Sequence, residues 1–154
     1  MGDSVPYREG DLFAVPLDGG GYGVGLVARA NRDGVVAGYF FGDRFAQPPD
    51  PDDLAAVGPK DAILIKSFGD LGLVRGEWPV IGQLPGWRRE DWPMPAFGRQ
   101  EPLTGRFLRV EYSDDDPNAS PREVQISQAE FDDLPEDGLA GFEFIQKRLS
   151  QGLG

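Results

Sequence analysis

The chain has 154 residues, a length that predicts one globular domain over residues 1–154. It contains neither cysteine nor histidine, which excludes disulfides, thiolate nucleophiles and zinc–thiolate sites and removes the usual general base. The formal net charge of −11 opposes binding to nucleic acid or to an anionic membrane surface, and it suits either a basic partner or simple solubility.

Composition also indicates a fold class and a compartment. The 22 glycines and 14 prolines favour many short elements with frequent turns, which is typical of β-rich folds. The N-terminal segment lacks the pattern of a signal peptide, and no apolar run approaches the length of a membrane span. We therefore expect a cytoplasmic protein without a membrane segment.

Three strands near the N-terminus are predicted to form an antiparallel meander. They are apolar segments separated by the short turn sequences DGGG and NRDG, and they lie at 11–17, 22–30 and 35–42. The first strand is apolar on both faces, so we expect both faces to be covered. Glycines inside the other two strands suggest strong bending, as in a small barrel: Gly23, Gly25 and Gly38.

The middle of the chain predicts two more strands and an irregular crossing. Residues 61–70 and 78–84 are predicted strands, with a loop or short helix between them. The second of these strands is short because Pro79 has no backbone N–H to donate. Residues 85–102 form the crossing, since prolines are too frequent there for a helix.

The last third predicts a second hairpin and a helix. Residues 105–113 and 122–128 alternate apolar and polar side chains, as half-buried strands do. The helix starts at Leu139, with Asp137 as its N-cap. Its apolar face consists of Leu139, Phe142, Ile145 and Leu149.

Together these elements predict a mostly β fold of the β-rich α+β class. We expect a small bent antiparallel sheet or an SH3-like barrel, followed by a C-terminal hairpin and helix. Residues 9–100 form the β core of this prediction. Residues 101–154 are an acidic C-terminal extension packed on it, since they carry 5 basic and 12 acidic side chains against 10 and 14 in residues 1–100.

Three tryptophans are the most conspicuous aromatic residues. We interpret Trp78 as a core anchor, because a short apolar strand follows it and tryptophan is highly buried on average. Trp87 and Trp92 flank the sequence RRED in the proline-rich crossing. With Arg88 they are candidate partner-binding residues, since tryptophan and arginine are enriched in binding hot spots. Alternatively, the two rings pin this loop to the sheet.

Acidic residues occur in clusters within predicted turns. The candidate partner-binding acids are Asp114, Asp115, Asp116, Asp132 and Asp133. Their charge either faces solvent or speeds the encounter with a basic partner. None of the acidic segments matches an EF-hand loop, so we predict no metal site.

Catalytic and cofactor sites are not predicted. The acids occur mostly in runs within turns, where water screens them, whereas glycosidase chemistry needs one carboxyl with a pKa raised by an apolar pocket. The segment DGGGYGVG lacks the Lys-Ser/Thr ending of a P-loop and precedes a strand rather than a helix. We therefore expect neither an enzyme nor a bound cofactor.

Two segments resemble a known family. EGDLFAVPLDGGGYGVGLV at 9–27 and GEWPVIGQLP at 76–85 are similar to the bacterial immunity protein 26 family of polymorphic toxin systems. The resemblance covers residues 9–100 and implies a β-rich domain that binds and neutralises a cognate toxin. It brings no catalytic residues with it. A basic nuclease would suit the acidic surface of this chain.

A second interpretation stays open beside the immunity protein. In that interpretation the chain is a small carbohydrate- or ligand-binding β-module, with Trp87 and Trp92 as its platform. A deep aromatic cleft with convergent polar groups would favour this alternative. Neither the identity of the toxin nor the oligomeric state follows from the sequence.

Overall fold

The computed structural model describes residues 5–119 and 122–152. Within these residues, nine strands form one six-stranded and one three-stranded sheet. The strands of the larger sheet are β1 (Asp11–Pro16), β2 (Tyr22–Ala30), β3 (Val35–Phe45), β4 (Ala62–Gly69), β5 (Val80–Gln83) and β9 (Leu139–Ala140). Those of the smaller sheet are β6 (Phe97–Gln100), β7 (Phe107–Glu111) and β8 (Arg122–Ile126).

Short helices connect these strands. The α-helices are α1 (Leu71–Arg75), α2 (Gln128–Asp132) and α3 (Phe142–Gly152). Short 3-10 helices cover Pro51–Leu54, Pro59–Asp61 and Arg89–Asp91. The hydroxyl of Ser127 accepts a hydrogen bond from the Glu130 N–H at 3.1 Å and so caps α2.

The larger sheet has the strand order β5-β1-β2-β3-β4-β9. The pairs β1–β2 and β2–β3 are antiparallel, which confirms the predicted meander. β9 is parallel to β4 and pairs only with Ser67 and Phe68. Because β5 and β9 lie at opposite edges, the sheet is open, and the SH3-like barrel alternative is wrong.

Glycines inside the strands make room for aromatic rings. A Cβ at Gly25 would lie 2.4 Å from the ring of Phe13, and one at Gly38 would lie 2.8 Å from the ring of Phe68. No side chain larger than hydrogen fits at these distances. The sequence feature that we interpreted as bending toward a barrel therefore reflects close approach of rings to the backbone.

An aromatic cluster around Trp78 covers one face of the larger sheet. The Trp78 ring is fully buried and stacks on Phe13, with centroids 5.5 Å apart and planes 4° apart. The edges or tilted faces of Phe40, Phe68 and Phe142 surround it at 5.5–6.3 Å. The interpretation of Trp78 as a core anchor is confirmed.

Helix α3 closes this cluster from the C-terminal part of the chain. Ile145 and Leu149 are buried in it, and Gln146 accepts a 3.5 Å hydrogen bond from the Trp78 indole N–H. Ser150 accepts a 2.7 Å hydrogen bond from the Asp18 N–H in the turn after β1. Residues beyond 101 therefore supply part of the core. The assignment of one domain with a distinct extension stays a prediction.

The opposite face of the larger sheet has its own apolar cluster. Alternation along β1 and β2 places Leu12 and Leu26 on this face, while their neighbours Phe13 and Val27 point to the first cluster. Both faces of β1 are thus buried, as its sequence predicts. The remaining buried members of this second cluster are Val24, Ala28, Tyr39, Phe41, Leu54, Leu84 and Trp92.

The structure differs from the sequence-based expectation mainly after residue 85. The crossing contains β6, which pairs antiparallel with β7. The hairpin of β7 and β8 is confirmed, but β8 is largely exposed rather than half-buried. Leu139 belongs to β9 instead of a helix, and α3 starts at Phe142. Asp137 is therefore not its N-cap.

Asp137 instead joins the smaller sheet to the segment that precedes β9. One carboxylate oxygen accepts a hydrogen bond from the Tyr112 hydroxyl, and the other lies 3.6 Å from Nη1 of Arg99. Burial and this hydrogen bond raise the pKa of the Tyr112 hydroxyl. Long-range partners, rather than the local sequence pattern, determine the position of this carboxylate.

The packing around Trp78 predicts a large stability loss on truncation. We expect Trp78→Ala to lower the free energy of unfolding by about 3–5 kcal/mol, because the cavity would be lined by rings that cannot collapse into it. Urea denaturation would measure this loss. The control is Phe144→Ala, whose ring is 54% exposed and whose loss should stay below about 1 kcal/mol. Equal losses for the two variants would contradict the core assignment.

Candidate partner-binding site

Trp87 lies after β5, with its ring against the backbone of Gly10. A Cβ at residue 10 would come within 2.7 Å of the ring, and Gly10 has a φ of 90°. Only glycine meets both conditions without strain. The Trp87 ring is half-buried beside the second apolar cluster. Part of its surface therefore serves the fold, and the rest faces solvent.

Trp92 is a core residue. Its ring is 3% exposed and meets Tyr39 and Phe41 edge to face, at centroid distances of 5.1 and 5.9 Å. Trp87 lies beside it at 6.5 Å. The pinning interpretation holds for Trp92, and its ring is not available to a partner on the folded protein.

Arg29 is a buried cation that contacts both the crossing and the turn after β7. Its side chain in β2 is 3% exposed. Its Nη1 donates to the carbonyl oxygens of Ala28 at 2.7 Å and Trp92 at 2.9 Å. Its Nε donates to the carbonyl oxygen and the carboxylate of Asp114, both at 3.1 Å. The guanidinium thus ties the larger sheet to the crossing and to the turn after β7.

Arg89 completes this arrangement from the 3-10 helix in the crossing. It donates to the carboxylates of Glu9, Asp114 and Asp115 at 2.8, 2.8 and 2.9 Å. The hydrogen bond to Glu9 is the main cause that raises the pKa of Arg89. The sequence pattern indicated the neighbouring Arg88 as a candidate, and not Arg89. Arg88 is exposed, and Glu90 is its ion-pair partner at 3.5 Å.

Asp116 is also held within the chain. Its carboxylate accepts hydrogen bonds from the Asn31 side-chain amide at 2.8 Å and from the Asn118 N–H at 2.9 Å. The bond from Asn31 is the main cause that lowers the pKa of Asp116. The three acids of the turn after β7 therefore fix that turn to β2, the loop after it and the crossing. Asp114 and Asp115 form ion pairs with arginines, and Asp116 is hydrogen-bonded to Asn31.

Asp132 and Asp133 lie in a different place, at the end of α2. Both are exposed, and within the described residues neither carboxylate has an ion pair or hydrogen bond. Asp133 lines a groove of about 390 Å³ beside β4, and Asp132 lines a neighbouring cavity of about 450 Å³ beside β6. No hydrogen bond or ion pair joins them to the turn at 114–116 in the described part of the chain. The predicted site residues thus form two separate groups.

Other features of the described residues bear on the alternatives. Five cavities of about 170–640 Å³ open on the surface, and neither Trp87 nor Trp92 lines any of them. The aromatic cleft that would favour a ligand-binding module is therefore not among these cavities. The described part of the chain contains no cluster of three or more metal-ligating side chains. Its helices are too short or too polar to cross a membrane.

The buried guanidinium of Arg29 predicts a strong dependence of stability on this side chain. We expect Arg29→Met to cost about 2–4 kcal/mol in urea denaturation, because two buried carbonyl oxygens lose their donor. Arg29→Lys should recover only part of this loss, since an ammonium cannot reproduce the planar fork. Arg32→Met, in the exposed turn after β2, is the matched control and should change stability by less than about 0.5 kcal/mol. A similarly small loss for Arg29→Met would overturn this account.

Comparison with known proteins identifies a family. No curated protein and no solved structure matches the chain significantly. The family described as immunity protein 26 matches residues 8–108, which extend from β1 to the start of β7. The matched range contains both resembling segments, 9–27 and 76–85, as well as Trp78 and Trp87. This match covers well over half of the chain and agrees with the resemblance of residues 9–100. The chain therefore belongs to the immunity protein 26 family.

Proposed function

We propose that this protein neutralises a cognate bacterial toxin by binding the toxin domain in the cytoplasm, and that the toxin surface is basic, as in a nuclease. Membership of the immunity protein 26 family supports a toxin partner in general. The net charge of −11 supports the sign of the partner's surface, because complementary charge speeds encounter and disfavours wrong partners.

Inhibition by binding, without turnover, is part of this proposal. The chain has no histidine or cysteine to act as a base or nucleophile. Its most crowded carboxylates, Asp114 and Asp115, already form ion pairs with arginines. These features favour a binding protein over an enzyme.

We infer that the electrostatic contact lies at Asp132 and Asp133. Their carboxylates are exposed and unpaired within the described residues, so their field is available to a partner. Asp114 and Asp115 contribute less, because Arg29 and Arg89 already form ion pairs with them, and the carboxylate of Asp116 is held by a hydrogen bond from Asn31. Trp87 and Arg88 stay candidate contacts through their exposed surface.

Neutralisation can be tested with the toxin domain encoded next to this gene. Co-expression of the two in a bacterial host should restore growth, and the two chains should co-purify as a stoichiometric complex. The control is a protein of the same net charge from another family. Growth restored without any complex, or turnover of the toxin's substrate or product by this chain alone, would contradict inhibition by binding.

If the acidic contact lies at Asp132 and Asp133, removing their charge should slow association more than removing charge elsewhere. We expect the double substitution Asp132→Asn and Asp133→Asn to slow association at least about threefold at low salt, with little change in dissociation. Stopped-flow kinetics at two ionic strengths would measure both rates. The effect should shrink at high salt, where the Debye length falls from about 10 Å at 0.1 M to about 3 Å at 1 M.

The matched control removes the same charge elsewhere. Asp43→Asn together with Asp91→Asn also removes two exposed carboxylates, but from β3 and from the crossing. We expect this control to leave association nearly unchanged. Equal slowing by the two double variants would mean that net charge alone, rather than this surface, steers the toxin.

A further inference from the structure

The outer edge of β4 is only partly covered. On its inner side β4 pairs with β3 along nearly its whole length. On its outer side β9 pairs with Ser67 and Phe68 and then ends. From Ala62 to Ile65, no strand of the described chain lies on that side. A strand edge without a neighbour offers backbone N–H and C=O groups to another chain.

A groove runs along this open edge. Its volume is about 390 Å³, and five consecutive residues of β4, Ala62 to Lys66, line it. The segment 133–136 and two residues of α3, Phe144 and Arg148, complete the lining. A strand of five residues is about 16 Å long, so the groove accommodates one short extended segment.

The groove ends where β9 begins. The buried ammonium of Lys66 donates to the carbonyl oxygens of Glu136 at 3.2 Å and Asp137 at 3.5 Å. These contacts hold the segment before β9 at the side of β4. The next pair along β4 is Ser67 with Leu139 of β9. The chain itself thus supplies the first two residues of an added strand and leaves the remainder of the edge open.

Apolar side chains flank the open edge. Ile63 is 51% exposed and Phe144 is 54% exposed, although both are large and hydrophobic. An incoming strand would bury these side chains through its own alternating residues. Exposed apolar surface beside an unpaired strand edge is the combination that strand-adding interfaces use.

Charge along the groove defines the chemistry of the occupant. Asp133 and Glu136 line the groove, and Asp132 lies just outside it. None of these three carboxylates forms an ion pair within the described residues. Two cations also line the groove: Arg148, which is exposed, and Lys66, whose buried ammonium donates to two backbone carbonyl oxygens. Since Asp133 and Glu136 are both exposed, the accessible charges of the groove are two carboxylates and one guanidinium, which favours a segment with basic side chains.

We propose that the toxin inserts an extended segment, with alternating apolar and basic residues, as an added strand on the outer edge of β4. The added strand hydrogen-bonds the backbone of Ala62 to Lys66, buries Ile63 and Phe144, and places a basic side chain beside Asp133. This inference rests on the proposed toxin-binding function and specifies the surface and the kind of segment that it uses.

A second copy of this chain fits the groove less well. The same edge in another copy would bring its own Asp133 and Glu136, and each copy carries a net charge of −11. Like charges placed at one interface oppose association. A basic segment from a different protein meets no such repulsion.

Hydrogen–deuterium exchange on the complex tests the added strand directly. The probe is the adjacent-encoded toxin domain, inactivated at its catalytic residue. We expect amides in the peptide 62–66 to exchange at least about tenfold more slowly in the complex than in the free protein, because an added strand accepts their hydrogen bonds. The turn around Leu103, which is 99% exposed, should be unaffected.

Substitutions test the same surface by affinity. We expect Ile63→Lys to weaken toxin binding by at least about tenfold, because a lysine blunts a strand edge and repels a basic segment. Phe144→Ala should weaken binding in the same direction without adding charge. Leu103→Lys is the matched control and should leave affinity unchanged. Thermal melts of each variant identify any that fail to fold, and the exchange measurement on the wild type does not depend on them.

The possible outcomes distinguish failure of the added strand from failure of the proposed toxin-binding function. A neutralising complex in which residues 62–66 exchange as in the free protein overturns the added strand and leaves the proposed function intact. Absence of both complex and neutralisation overturns both. If the chain alone sediments as a dimer that Ile63→Lys dissociates, a second copy occupies the edge and the inference is wrong.

Discussion

The guanidinium of Arg29 is the constraint on which the arrangement of this fold depends. A buried charge is tolerated only when its hydrogen bonds are satisfied, and here the acceptors come from three parts of the chain. They are the carbonyl of Ala28 in β2, the carbonyl of Trp92 in the crossing, and Asp114 after β7. Asp114 lies beyond the family-matched residues, which end at 108. Arg29 is therefore one of several side chains that join the family-matched part to the rest of the protein.

The acidic composition serves two purposes that the net charge alone does not distinguish. Some carboxylates build the fold: Asp70 accepts a 2.7 Å hydrogen bond from Tyr7, Asp137 accepts one from Tyr112, and Asp114 pairs with Arg29 and Arg89. Others, at the end of α2 and along the groove, have no partner within the described residues. The first group fixes positions within the fold, and the second group contributes negative charge to the exposed surface.

Much of the fold could be predicted from the sequence because its signals are local. The apolar strands at 11–17, 22–30, 35–42 and 61–70, separated by glycine-rich or polar turns, all exist with small shifts in their ends. β6 was missed because FGRQ contains one apolar residue, Phe97, and its pairing partner lies about ten residues further on. The site was harder still. The only sequence feature that indicates the role of Arg29 is its position as a lone arginine in the apolar segment VARA. No local feature of the sequence distinguishes Arg89 from Arg88.

The shortness of β9 has a consequence for how the protein behaves at high concentration. Because β9 ends after two residues, most of the outer edge of β4 has no neighbouring strand within the described residues. Such an edge can pair with another copy of the chain and so promote aggregation. Mutual repulsion between copies, each with a charge of −11, supplies colloidal protection that the backbone lacks. That repulsion opposes edge-to-edge pairing between identical copies of the chain.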